Sequence, residues 1–170
     1  MKKIIVLFAG LFLMSFAAQN LNAQASDSET SATSAHIVKP IALANSVPLY
    51  FGKIVPTSAV GTVEVTPGGA RNFGGGALVF ANDPTTFTAA EFTVTGENSA
   101  SYSIVLPVDG AVTLTGAGTA MPLDDFSTNA TGTLNSSGTE TFQVGATLNV
   151  GASQTAGTYT GSFNVTVAYN

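Results

Sequence analysis

Cysteine and tryptophan are absent, histidine occurs once, and only 9% of the residues are charged, against roughly 25% in an ordinary soluble domain. Without cysteine there is no disulfide, no thiolate nucleophile and no lipidated N-terminal Cys, so stability outside the cytoplasm has to come from packing. One imidazole and no thiol cannot supply the three or four N/S ligands of a zinc site. His36 stands where a polar segment meets the first expected strand, with no neighbouring acid to orient it, so a Ser-His-Asp arrangement has no base. Five basic residues against ten acidic ones cannot neutralise many phosphates, which excludes nucleic acid as a partner. No apolar stripe persists over the three or four turns that an amphipathic helix needs, because Gly, Pro or Asn interrupts almost every window.

The N-terminus has a recognisable layout. Lys2 and Lys3 precede an apolar run from Ile4 to Ala18, and small residues close it at Ala23-Gln24-Ala25. This is the pattern of a secretory signal peptide over residues 1–25, too short for a membrane span. Its removal leaves Lys39, Lys53 and Arg71 facing all ten carboxylates and no apolar run long enough for membrane insertion. Residues 26–35 (SDSETSATSA) are polar and have nothing to bury, so they read as a flexible leader. The rest, residues 36–170, has the length of one domain.

What that domain offers is a two-residue period. In Gly157–Asn170, Tyr159, Phe163, Val165, Val167 and Tyr169 share one parity, and mostly hydroxyl-bearing residues take the other. Strand side chains alternate between faces, so one face is apolar and the other is hydrated. Phe92-Val94, Tyr102-Ile104-Leu106, Val63-Val65 and Phe142-Val144-Ala146-Leu148-Val150 repeat the pattern, and 23 Thr residues suit a pleated surface. Strands are expected at about 36–44, 48–54, 60–66, 77–81, 89–95, 100–106, 111–115, 120–126, 139–150 and 157–169. The fold class is all-β, an antiparallel β-sandwich in preference to a barrel. The last strand, from Thr158 to Tyr169, would extend about 40 Å, longer than most strands. Val165 and Val167 are expected to be buried on it.

Few residues could carry chemistry. Asp124 and Asp125 are adjacent and on a strand would point to opposite faces, so they cannot flank one glycosidic bond. They could lend oxygens to calcium, although no EF-hand spacing is present. The glycine-rich stretch Pro67–Gly76, with the single Arg71, matches no phosphate-loop spacing and reads as a loop or wide hairpin. Tyr50, Phe51, Phe73 and Phe87 lie near turns and could form a sugar-stacking surface, though without the tryptophan that stacks best. No catalytic, cofactor-binding or metal-ligating residue is assigned, and no enzyme activity or cofactor is expected.

Several blocks carry a family likeness: Ile41 with Leu43, Phe51-Gly52-Lys53-Ile54, Gly61-Thr62-Val63 followed by Pro67-Gly68 and Arg71, Ala90 to Gly96, Tyr102-Ser103-Ile104 with Leu106-Pro107, Phe142 to Val150, and Gly157 to Asn170. Over about Ile37 to Asn170 the chain resembles the secreted bacterial family catalogued as domain of unknown function 4402. More distantly, Ala156-Gly157-Thr158-Tyr159 with Phe163, Val165, Val167 and Tyr169 resembles the ending of archaic chaperone–usher pilus subunits of the spore-coat-U type. That likeness implies an immunoglobulin-like sandwich that pairs strands with a neighbour. The chain differs from those subunits in lacking cysteine and in a leader without the alternating large apolar residues of a donor strand. The expectation is a non-enzymatic secreted or cell-surface protein with a structural or adhesive role, a pilus-like subunit whose self-association or contact with other surface subunits uses the C-terminal strand. The alternative is a secreted module binding a glycan or small ligand, assisted by calcium.

Overall fold

Alternating apolar and hydroxyl side chains become nine β-strands among the described residues, with no helix. The structure is a computed structural model that describes residues 26–80 and 86–170; the expected signal peptide lies outside the described residues. Residues 26–36 carry no regular secondary structure and are exposed throughout. Ile37–Asn170 forms a compact unit. Its strands are β1 (Ala42–Val47), β2 (Ile54–Val65), β3 (Arg71–Val79), β4 (Ala90–Thr95), β5 (Tyr102–Val105), β6 (Val112–Leu114), β7 (Met121–Thr128), β8 (Thr139–Val150) and β9 (Thr166–Tyr169).

All pairings are antiparallel. Seven strands form one sheet with the path β1-β4-β8-β2-β3, in which β7 also pairs β8 and β6 pairs β7; β5 and β9 form a second sheet. The architecture is the expected β-sandwich. Its centre is β8. Val144 is partnered by Ala90 of β4 and Thr128 of β7, while Leu148 is partnered by Val63 of β2 and Leu123 of β7. A strand has two sides, so β4 and β2 follow one another along one side of β8 and β7 occupies the other. The changeover falls at Gly145, where a Cβ would collide with the Val65 carbonyl oxygen, so only glycine lets the end of β2 approach this closely.

The core changes over at the same place. Phe142 and Val144 belong to a cluster with Ala90, Phe92, Val94, Tyr102 and Leu134. Ala146, Leu148 and Val150, on the same face of the same strand, belong to another with Val63, Val65, Met121 and Leu123. Leu49, Phe126 and Phe163 pack against both and join them. Phe163 meets Phe126 with ring centres 5.1 Å apart and Phe92 edge-on at 6.2 Å. The outer faces carry hydroxyls, as in the 3.2 Å contact between the cross-strand partners Thr93 and Thr141.

Besides a first strand that starts at Ala42 rather than at residue 36, three expectations need correction. The tail is not one long strand: only Thr166–Tyr169 pairs, with the four residues of β5, and upstream a single bridge joins Thr160 to Thr115. Tyr159, Phe163, Val165, Val167 and Tyr169 do face the core while their even-numbered neighbours are exposed, but Val165 and Val167 are half-buried rather than buried. Alternation thus reported where the side chains go and not whether the backbone had a neighbour. Of residues 48–54 only Ile54, the start of β2, is in a strand; Tyr50 bridges Thr88 and the chain then turns at Gly52, whose φ is +79°. Third, the glycine-rich stretch is a loop only as far as Ala70, and Arg71–Gly76 belongs to β3, held by β2.

Candidate functional site

Several of the charged and phenolic side chains are engaged with backbone. Asp124 accepts from the Gly110 N–H at 2.8 Å through one oxygen and from the Asn149 side chain at 2.7 Å through the other. Asp109 accepts from the Asp125 N–H at 2.8 Å, and Asp125 itself takes a positive φ of 52° at the bulge in β7. The two adjacent acids and Asp109 therefore brace the turn before β6 against β7. Among the described residues no three His, Cys, Asp or Glu side chains gather to hold a metal ion. His36 is exposed in the segment before the sandwich.

Two of the four aromatics expected at a sugar platform, Phe73 and Phe87, have their rings against the guanidinium of Arg71, and Phe51 meets it through its backbone. The Arg71 Cζ lies 5.0 Å from the Phe73 ring centre and 4.8 Å from that of Phe87, and its Nη1 donates to the Phe51 carbonyl at 3.0 Å. Gly52 leaves the space this needs, since a Cβ there would meet Nη1. Phe51 is buried in the core and Tyr50 alone of the four is exposed. The cation thus occupies the faces that a sugar ring would have used.

Two further fastenings, at Tyr102 and Tyr169, were not legible in the sequence. These residues face each other across the β5–β9 ladder. The Tyr102 hydroxyl donates to Glu140 of β8 at 2.7 Å. The Tyr169 hydroxyl donates to the Lys39 carbonyl at 2.8 Å and accepts from the Glu97 N–H at 2.6 Å. Both tie the two-stranded sheet to the seven-stranded one and its flanking segments. Burial, reinforced by the Glu140 carboxylate, pushes the Tyr102 phenol well above its usual range. Burial also acts to raise the Glu140 carboxyl, but hydrogen bonds from the Thr131 N–H, the Tyr102 hydroxyl, the Thr131 hydroxyl and the Thr133 N–H hold it below its ordinary value. Periodicity marks Tyr102 and Tyr169 as inward-facing; their hydroxyl partners depend on pairings distant in sequence.

Two open depressions lie on the surface of the described residues. One of about 620 Å³ lies beside the bulge in β2, with Thr62, Gly74, Thr119, Asn149 and Gln154 in its lining. The Asn149 amide already donates to Asp124, and the Gln154 amide donates to the Thr119 carbonyl at 2.6 Å. The other, of about 470 Å³, includes Glu64, Asn72, Phe73 and Asp125. Glu64 accepts from Asn72 at 2.9 Å.

Strands in two sheets, fastened by side chains that reach loop and turn backbone, define an all-β sandwich domain. The chain belongs to the family described as Domain of unknown function (DUF4402), whose family model matches residues 41–169. No curated protein and no solved structure matches it.

Proposed function

We propose that this chain is a non-enzymatic structural or adhesive protein, exported and displayed at or beyond the cell surface, that works as a subunit of an assembly of pilus-like kind. The observation that carries this reading is the use made of its polar residues: Asp109, Asp124, Glu140, Arg71 and Tyr169 all brace backbone. Side chains committed in this way are poorly placed to bind or turn over a substrate, and well placed to keep a small cysteine-free sandwich rigid. The signal-peptide pattern and the hydroxyl-rich outer faces support export and display.

The C-terminal strand, on which self-association was expected, pairs β5 of its own chain, and Tyr159, Phe163, Val165 and Val167 pack on the core, so in the single chain it serves the domain itself. Cutting the chain after Gly157 would unfold it and so would not test assembly. The test is sedimentation velocity and negative-stain electron microscopy of the intact chain freed of residues 1–25. Concentration-dependent oligomers or fibres are expected. A protein that stays monomeric and instead binds a glycan array, with binding lost in Tyr50→Ala, would replace this reading with that of a ligand-binding module.

A further inference from the structure

The C-terminal tail is held to its domain more by side chains than by backbone. β9 pairs β5 over four residues, one bridge joins Thr160 to Thr115, and residues 161–165 between them belong to no strand. Tyr159, Phe163, Val165, Val167 and Tyr169 nevertheless pack on the core, so the seat they fill is shaped to this sequence. The link from β8 to the tail, residues 151–157, contains no strand, and in it Ser153 has a φ of +52°. That is the left-handed region, where the Cβ of any residue other than glycine crowds the backbone. The Ser153 side chain is exposed, and its N–H donates to the Thr57 carbonyl at 2.6 Å.

We propose that copies of this chain assemble by exchanging the tail, residues 158–170 of one protomer lying in the seat that the neighbour's own tail otherwise fills. The inference rests on the reading of the chain as an assembling subunit and names the segment that joins the subunits. The occupant follows from identity. A seat complementary to its own tail is equally complementary to the same tail of a second copy, so exchange keeps the contacts between tail and core, and the link decides the balance. In the single chain the link folds back and holds Ser153 in its left-handed turn. Drawn out between two protomers, it can take the extended backbone that any residue adopts, at the loss of the bond to Thr57, which water replaces. Strain in a short link therefore favours exchange, and the four-residue ladder leaves few backbone bonds to break before the tail departs. Two protomers that trade tails close as a dimer, and a protomer that takes one neighbour's tail and gives its own to another begins an open chain.

Because the chain has no cysteine, an introduced disulfide can report whose tail fills each seat. Ser103 and Ala168 are exposed cross-strand partners in the β5–β9 ladder, a spacing a disulfide can bridge. The chain freed of residues 1–25 and carrying Ser103→Cys with Ala168→Cys is oxidised after assembly. Its oligomers in sedimentation velocity should stay joined in denaturing electrophoresis without reductant and come apart when reductant is added, while either cysteine alone should leave single chains. Ser153→Gly, which relieves the strain, should lower the oligomer fraction roughly fivefold at equal concentration. Ser153→Val, whose branched side chain tolerates the left-handed turn least, should raise it, with melting temperature as the check that both variants fold. Oligomers that fall to single chains without reductant would mean that assembly uses another surface: the exchange is wrong and the assembling reading stands. An oligomer fraction unmoved by either change at Ser153 would deny that the link drives the exchange. A chain that stays monomeric at every concentration, also after refolding from urea, ends the assembling reading and the inference with it.

Discussion

Gly96 and Tyr169 compete for one small volume: a methyl group on Gly96 would run into the Tyr169 hydroxyl and come within 3.0 Å of Leu134 Cδ1. Gly96 follows β4 and is buried, so the only residue type that leaves the hydroxyl its place between Lys39 and Glu97 is the one with no side chain.

Gly96→Ala is therefore predicted to cost about 1–3 kcal/mol, the range for an overfilled core. Tyr169→Phe should cost about 1 kcal/mol through its lost hydrogen bonds. Because the two residues are in contact, the double variant should cost less than the sum. Urea unfolding of the four proteins measures the coupling, and strict additivity would show that the hydroxyl does not set the limit at Gly96.

The Glu140 fastening predicts how stability varies with pH. Its carboxyl is held below the ordinary value of 4.5 in the folded chain, so its contribution is present above that value and is lost as pH falls through the folded-state pKa. The Tyr102 phenol is raised above its ordinary 10.0, so its contribution is present below pH 10 and is lost as pH rises beyond it. Melting temperature against pH should show both limbs. Glu140→Gln should flatten the acid limb, and Tyr102→Phe should remove the alkaline limb while costing about 1–3 kcal/mol at neutral pH, where a charged acceptor loses a donor.

Arg71→Lys should destabilise by about 1–2 kcal/mol although the charge is kept, because an ammonium cannot fill the flat space between Phe73 and Phe87. Gly68→Ala in the neighbouring turn, with only Thr66 Oγ1 nearby at 3.8 Å, is the control and should change stability by less than about 0.5 kcal/mol. Equal effects at the two positions in chemical unfolding would deny the stacked arrangement.

In the tail, Val165→Ala and Val167→Ala should each cost about 0.5–1.5 kcal/mol, less than for fully buried valines because both are half-exposed, and Thr166→Ala should cost less than about 0.5 kcal/mol. The same unfolding series measures all three. A penalty at Thr166 equal to those at the valines would reverse the assignment of faces.

The alternation that was readable in residues 139–150 is matched by β8 residue for residue, because there large and polar side chains alternate over a strand paired along its length. The tail shows the same alternation, but pairing needs a neighbour as well as a pattern, and β5 supplies only four residues. In β3 the reverse holds. Gly74, Gly75 and Gly76 offer no side chains to alternate, so nothing local marks a strand, and β2 imposes it from outside. The braces were illegible for a related reason. Composition shows that Glu140 and Arg71 are scarce charges, but their partners Thr131, Tyr102, Phe73 and Phe87 are fixed only once loops and strands have been brought together. Nearness to turns groups Tyr50, Phe51, Phe73 and Phe87, whereas the structure sets the rings of Phe73 and Phe87 on Arg71, a cation outside that grouping.

Because β4, β2 and β7 all lean on β8, the order in which the polypeptide becomes available matters. A chain delivered N-terminus first presents the bare flanks of β2 and β4 long before residue 150 has emerged to cover them. Throughout that delay the half-made sheet has open hydrogen-bonding edges within reach of every other nascent molecule.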